Sequence, residues 1–276
     1  MGLGRNMASS TGQGQHDDSA EDVVAFYDGL AGSYHLIYAD WEGAVDRQSA
    51  ALDKVIQTRM IADHPSLLDC SCGIGTQSLG LASRGYDVMA TDVSAHAVER
   101  CQREADTRDI HLRSQVVDMR HLADEVAGRF DVVLSCDNAM PHLLGRWDLL
   151  AAVRGMFARL VPGGLVVIGM RDYDQLRQER PTSTPVRVLD GGDRLVFQVW
   201  DWDRSGETYG LKHFLVQRQN GDWHTQCNEV RYRALTRMEL TTALASAGFV
   251  DMEWQLPAAS GHFEPLVTAL RPLSMS

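Results

Sequence analysis

Asp69-Cys70-Ser71-Cys72-Gly73-Ile74-Gly75-Thr76 decides the fold. The apolar pair Leu67-Leu68 leads into it, and a helical pattern from Gln77 to Arg84 follows. Strand, glycine turn, helix is the unit in which a parallel α/β sheet lays a nucleotide-like cofactor against backbone N–H groups at a helix N-terminus. Gly73 and Gly75 remove the Cβ atoms that would hold a ligand off the backbone.

Tyr86 to Asp92 reads as a second strand, and its closing acid stands about twenty residues beyond Gly73, where a carboxylate can accept from both hydroxyls of a ribose. A dinucleotide fingerprint needs a third glycine at Ser78, and it needs no acid at Asp69. The pattern D-x-x-x-G-x-G with a later Asp resembles the cofactor loop of class I S-adenosylmethionine methyltransferases.

Composition narrows the function. The 276 residues, 44% hydrophobic and 23% charged, suit one large α/β domain with an inserted subdomain. A net charge of −11 with no basic block argues against a nucleic-acid partner. No apolar run reaches bilayer length, so no membrane partner is expected. The five cysteines (70, 72, 101, 136 and 227) form no metal-ligand spacing and are expected to be reduced, buried thiols of a cytoplasmic protein, with no metal. Residues 1–20, rich in Gly, Ser, Gln and Asp, are expected to be a disordered tail ahead of a methyltransferase domain at 21–276.

Within that domain, 21–62 reads as a helical lid. A helix starts near Val23, an aromatic connector runs from Tyr34 to Trp41, and a second helix covers Arg47 to Ile61. Strands at His111–Val117 and Phe130–Cys136 alternate with helices at Ala95–Thr107 and along the Leu149, Val153, Met156, Leu160 stripe. Pro162-Gly163-Gly164 should break that last helix and start the fifth strand at Leu165. This rhythm implies a doubly wound parallel sheet. Over 172–235 it gives way to an antiparallel meander, with Asn220-Gly221 as the clearest hairpin turn. Thr236 and Glu239 make a capping box, and strands near Phe249–Leu256 and Glu264–Leu270 close the chain. The resemblance then implies a Rossmann-like, seven-stranded sheet with its last strand antiparallel and the β-insertion as a lid after strand five.

S-adenosylmethionine is the cofactor the resemblance implies. Asp92 would grip the ribose, and in that family an acid at Asp118 reaches the adenine amino group while Met119 packs on the ring. Cys70, Gly73, Gly75, Val93 and Cys136 are further cofactor-binding candidates, and Asp69 would order the turn. Arg47, or alternatively Arg84, would answer the cofactor's carboxylate. Trp41 and Tyr34 would shield the sulfonium, or pack as plain lid residues.

Cys136-Asp137-Asn138-Ala139-Met140-Pro141-His142-Leu143 is similar to the G-N-S-x-x-H-L segment of glycine N-methyltransferases. Gly169 to Asp174 resembles their D-H-R-N-Y-D, in which the Arg holds the substrate carboxylate. Tyr34, Asn138 and His142 are therefore the catalytic candidates, and Arg171, Tyr173 and Tyr209 the substrate-binding ones. Met170, Asp172 and Asp137 depart from the pattern, and either acid has the charge to hold an amine or hydroxyl of a different acceptor or to pair with Arg171 and disable the clamp. The expectation is N-methylation of a small carboxylate-bearing amine such as glycine or sarcosine. O- or C-methylation of a natural-product intermediate, a non-catalytic regulatory module and a nicotinamide oxidoreductase are the rivals, and self-association is left open.

Overall fold

The computed structural model of the chain describes residues 17–60 and 65–273. Helices α1 (Asp17–Leu30) and α2 (Trp41–Arg59) come first, joined through a 3-10 turn at Tyr34–Ile37. Asp40 caps α2 by accepting from the Gly43 N–H, so Trp41 opens a helix rather than ending a connector. Of the tail expected at 1–20, residues 1–16 lie outside the described residues, and α1 already runs from Asp17.

Strand–helix alternation follows: β1 (Ser66–Asp69), α3 (Thr76–Ala82), β2 (Asp87–Asp92), α4 (Ala95–Thr107), β3 (Arg113–Val116), α5 (Leu122–Glu125), β4 (Phe130–Ser135), α6 (Arg146–Arg159) and β5 (Leu160–Gly169). Leu67 and Leu68 in β1 and Val132, Val133 and Leu134 in β4 are all fully buried, as strands covered by helices on both faces must be. One apolar layer packs the sheet against α2, α3 and α4, and a second packs its other face against α6. β5 begins five residues earlier than the glycine break suggests, at Leu160, which pairs with Phe130 before the register shifts. Gly163, at φ 81°, lets the irregularity form without ending the strand.

Helix α7 (Tyr173–Glu179) leads into a separate antiparallel sheet of β6 (Arg187–Leu189), β7 (Arg194–Trp202), β8 (Thr208–Gln219) and β9 (Asp222–Arg233). Asn220 (φ 53°) and Gly221 (φ 96°) turn β8 into β9, with both centre residues left-handed as a type I′ turn requires. The inner face of this sheet buries Trp200, Tyr209, Leu211, Val230 and Tyr232 against Phe26 and Leu30 of α1. Strand alternation puts Cys227 on the opposite face, where it is exposed, unlike the other four thiols.

The capping box of Thr236 and Glu239 starts α8 (Arg237–Ala247). Then β10 (Val250–Gln255), the short α9 (Pro257–Ser260) and β11 (Leu266–Leu270) complete the main sheet in the order β10-β11-β5-β4-β1-β2-β3. Only β11 runs antiparallel to its neighbours. Strand order reverses between β1 and β4, so the crevice beyond their carboxyl ends is where a ligand binds in such a sheet.

Candidate active site

The turn after β1 is built around two acids. Asp92, at the end of β2, accepts the Gly73 N–H at 2.9 Å through Oδ2 and the Ser94 N–H at 3.0 Å through Oδ1. Asp69 lies beneath the turn, accepting from the Ser71 N–H at 3.2 Å and the Ser78 hydroxyl at 2.7 Å. Burial pushes its carboxyl up to about 7. Gly75, at φ 97°, precedes α3, and a Cβ there would stand 2.8 Å from Cys101 Sγ. Gly73, at φ 52°, faces open space instead. Gly75→Ala should therefore lose about 2–4 kcal/mol, a left-handed cost plus overpacking. Gly73→Ala should lose only about 1 kcal/mol. Urea midpoints of the two variants check the contrast.

A cleft of about 850 Å³ opens above this turn. Cys70, Gly73, Asp92, Val93, Asp118, Met119 and Cys136 line it, and so do Tyr34 and His142. The donor and acceptor set suits an adenosyl group: an acid at the β2 end for a ribose, Asp118 for an amine edge, and Met119, Val93 and Leu143 as apolar walls. Asp69 and Gly75 support the floor from beneath. Trp41 donates from Nε1 to Thr76 Oγ1 at 3.0 Å and lies under Arg108, behind the turn rather than over it. Arg47 is exposed, pairs with Asp40 at 3.3 Å, and lines a different cavity, so it does not face the cleft.

Arg120 is a cleft residue that the sequence reading missed. Its guanidinium holds Asp118 at 2.6 Å and reaches Asp148 at 3.6 Å. Burial raises the Asp118 carboxyl, but Arg120 outweighs it and leaves the group below the usual carboxylate range. Arginine two residues past a strand-end acid was the available signal.

Beside the cleft lies a larger, solvent-open chamber, about 1480 Å³ with the solvent at its mouth included, with Arg171, Gln198, His213 and His262 on its walls. Arg171 donates to Tyr209 Oη at 3.2 Å and to Gln198 Oε1 at 3.4 Å, and its guanidinium sits 5.0 Å from the Trp200 ring centre. Asp172 does not neutralise it; that carboxylate caps α7 and meets Arg237 at 3.6 Å. Tyr173 and Tyr209 share a 2.8 Å hydrogen bond and are fully buried, so they brace Arg171 from behind and do not line the chamber. Asn138 is buried as well, and its Oδ1 accepts the Arg171 backbone N–H at 3.2 Å, tying the loop after β4 to the loop after β5. Glu264, which the sequence reading had only as the start of a strand, is a buried acid whose environment includes Asp137 and Arg171; burial first, and then Asp137, pushes it up to about 8.

His142 shares a 2.9 Å hydrogen bond with the Tyr27 hydroxyl. Burial, and secondarily Arg171, pushes its pKa down to about 3, so the ring facing the cleft is neutral. An unfolded histidine takes up its proton near pH 6.5, so the stability this group contributes is complete above that pH and is lost as pH falls toward 3. Between pH 6.5 and 5 the loss from one such group is about 2 kcal/mol. His142→Gln should shrink the stability gap between pH 7 and pH 5 by about that amount, read from urea unfolding of both proteins.

Comparisons with known proteins agree with this geometry. Residues 67–164 match the family model described as a methyltransferase domain. The glycine/sarcosine N-methyltransferase of Parasynechococcus marenigrum (strain WH8102) is 33% identical over 141 residues, which are 49% of this chain and 49% of that protein. The match thus spans about half the length of that relative, at 49%. The dTDP-3-amino-3,6-dideoxy-alpha-D-glucopyranose N,N-dimethyltransferase of Streptomyces fradiae is 25% identical over 92% of this chain and 93% of that one. DesVI of Streptomyces venezuelae shares the fold, with a TM-score of 0.71 and 20% identity over 88% of this chain and 98% of that one. The glycine turn, the strand-end acid, the seven-stranded order and the methyltransferase-domain match over residues 67–164 together support a class I S-adenosylmethionine-dependent methyltransferase.

Proposed function

We propose that the protein methylates the nitrogen of a small, carboxylate-bearing amine, of which glycine and sarcosine are the simplest members. One observation carries this reading: Arg171 lines a chamber next to the cleft and forms no close ion pair among the described residues, with the buried acid Glu264 acting on it only through the field. A guanidinium fork matches a carboxylate in two-point fashion, and each charge-assisted bond is worth about 1.5–3 kcal/mol. Bound S-adenosylmethionine supplies an electrophilic methyl group, whose transfer forms the acceptor bond, breaks the C–S bond and leaves that electron pair on sulfur.

The chain's own part is positioning and exclusion of water. Arg171 fixes the acceptor's acid end, braced by Tyr209. Tyr34 and neutral His142 close the cleft without adding a positive charge beside a cationic cofactor. A second reading, an amino sugar or similarly bulky amine, is favoured by the breadth of the chamber, which opens to solvent and has room for more than glycine. The free state of all five cysteines supports a reducing, cytoplasmic setting, and among the described residues no helix is long and apolar enough to cross a membrane.

The test is incubation of purified protein with labelled S-adenosylmethionine and a panel of amino acids, amines and amino-sugar nucleotides, read by mass spectrometry. Label on a nitrogen of a carboxylate-bearing amine is expected. Label only on oxygen or carbon of the acceptor would refute the reading.

A further inference from the structure

Asp137 is, among the described residues, the one that lines both the cofactor cleft and the acceptor chamber. It follows β4 with φ 58°, and Asn138 follows it with φ 63°. Two successive non-glycine residues in the left-handed region store about 1–2 kcal/mol each. Asp and Asn tolerate that region best among L residues, and neighbours hold the loop there. The Asn138 side chain ties to the Arg171 backbone, and the Asn138 backbone N–H donates to the Glu264 carboxyl. This strain fixes where the Asp137 carboxylate points.

Tyr34 and Tyr38 both donate to Asp137 Oδ2, at 3.3 and 2.9 Å. Burial, and then Asp137 itself, raises both phenols well above their ordinary value, so they stay protonated and donate. Oδ1 accepts no hydrogen bond from any described residue, and the carboxylate pairs with no Lys, Arg or His among them. Arg171, on the wall of the same chamber, forms no close ion pair among the described residues; the buried acid Glu264 acts on it only through the field. A half-buried anion beside the cleft and a half-buried cation along the wall both face the space an acceptor would fill.

We propose that Asp137 holds the acceptor's nitrogen as an ammonium ion at the junction of cleft and chamber, so that the acceptor is an amine whose body extends past Arg171. The inference deepens, and rests on, the methyl-transfer reading above. Before transfer the ammonium gives up one proton to water, and Asp137 stays the anion that holds the nitrogen in place. The nitrogen keeps the electron pair that had bound that proton and is then free to form its new bond. A hydroxyl brings no positive charge and leaves Asp137 unpaired, so this junction discriminates against alcohols.

The test pairs glycine, sarcosine and an amino-sugar nucleotide with their hydroxyl counterparts, using the wild type and Asp137→Asn. Asparagine keeps the shape and the left-handed backbone but removes the charge. At least one amine should be methylated, and its hydroxyl counterpart should react about 100-fold more slowly or not at all. Asp137→Asn should lower kcat/KM for that amine by about 100-fold, while S-adenosylhomocysteine affinity stays within about threefold. The inference is overturned if the variant keeps wild-type kcat/KM, or if the hydroxyl partners react equally well. It is also overturned if the variant loses cofactor affinity as steeply as turnover, or if the wild type binds S-adenosylhomocysteine yet methylates none of the amines. Failure of the wild type to bind S-adenosylhomocysteine at all would overturn the methyl-transfer reading itself, and this inference with it.

Discussion

Asp92→Ala should weaken S-adenosylhomocysteine binding by about 100-fold or more. The carboxylate stands at the end of β2 in the cleft, and a ribose there would place both hydroxyls against it. Two charge-assisted bonds at about 1.5–3 kcal/mol each make a loss of about 3 kcal/mol a conservative figure, and each 1.4 kcal/mol is tenfold. The same side chain accepts the Gly73 and Ser94 N–H groups, so its removal also loosens the floor on which the cofactor would rest. Asp92→Asn separates the effects, since its amide oxygen still accepts while the charge is gone. It should lie between the wild type and the alanine variant. Calorimetric titration reads the affinity, and urea unfolding shows whether the turn has been lost with it. Binding by Asp92→Ala within threefold of wild type would mean that Asp92 does not grip the sugar.

Arg171→Ala should lower kcat/KM for carboxylate-bearing acceptors by about 1,000-fold, with cofactor affinity unchanged. The guanidinium is anchored by Tyr209 and Gln198 and stacked near Trp200, so its fork is presented to the chamber in one orientation. Arg171→Lys should recover little, because an ammonium ion cannot reproduce the two-point contact. An acceptor without a carboxylate should be indifferent to both changes. That split distinguishes loss of a clamp from general damage to the loop, as does a melting temperature measured alongside. Equal losses for acceptors with and without the acid would assign Arg171 a structural role.

Much of the fold was legible because the signals were local. Continuous apolar runs marked β1 and β4, Asn220-Gly221 marked the hairpin, and Thr236 with Glu239 marked the start of α8. Pro162-Gly163-Gly164 misled because a glycine break resembles an irregular strand: pairing of Leu160 with Phe130 is a long-range fact no local pattern carries. The cofactor floor was legible for a similar reason, since one strand–turn–helix unit and the next strand end supply it. Arg47 and Trp41 failed to reach the cleft because the cap at Asp40 starts α2 at Trp41, where Arg47 pairs with Asp40 and Trp41 bonds to Thr76. The acceptor chamber was the least legible part. Tyr38, Asp137, Arg171, Gln198 and His262 come from five separate segments, and only tertiary packing brings them to one wall.

Every role proposed above requires that the cleft above Gly73 receive the adenosyl group of the cofactor. A crystal structure of the protein with S-adenosylhomocysteine tests it most directly. The prediction is density with both ribose hydroxyls on Asp92, the adenine between Val93 and Met119, and the sulfur pointing toward Asp137. Density for the ligand in the Arg171 chamber, or with its ribose away from Asp92, would rule out this placement of the cofactor.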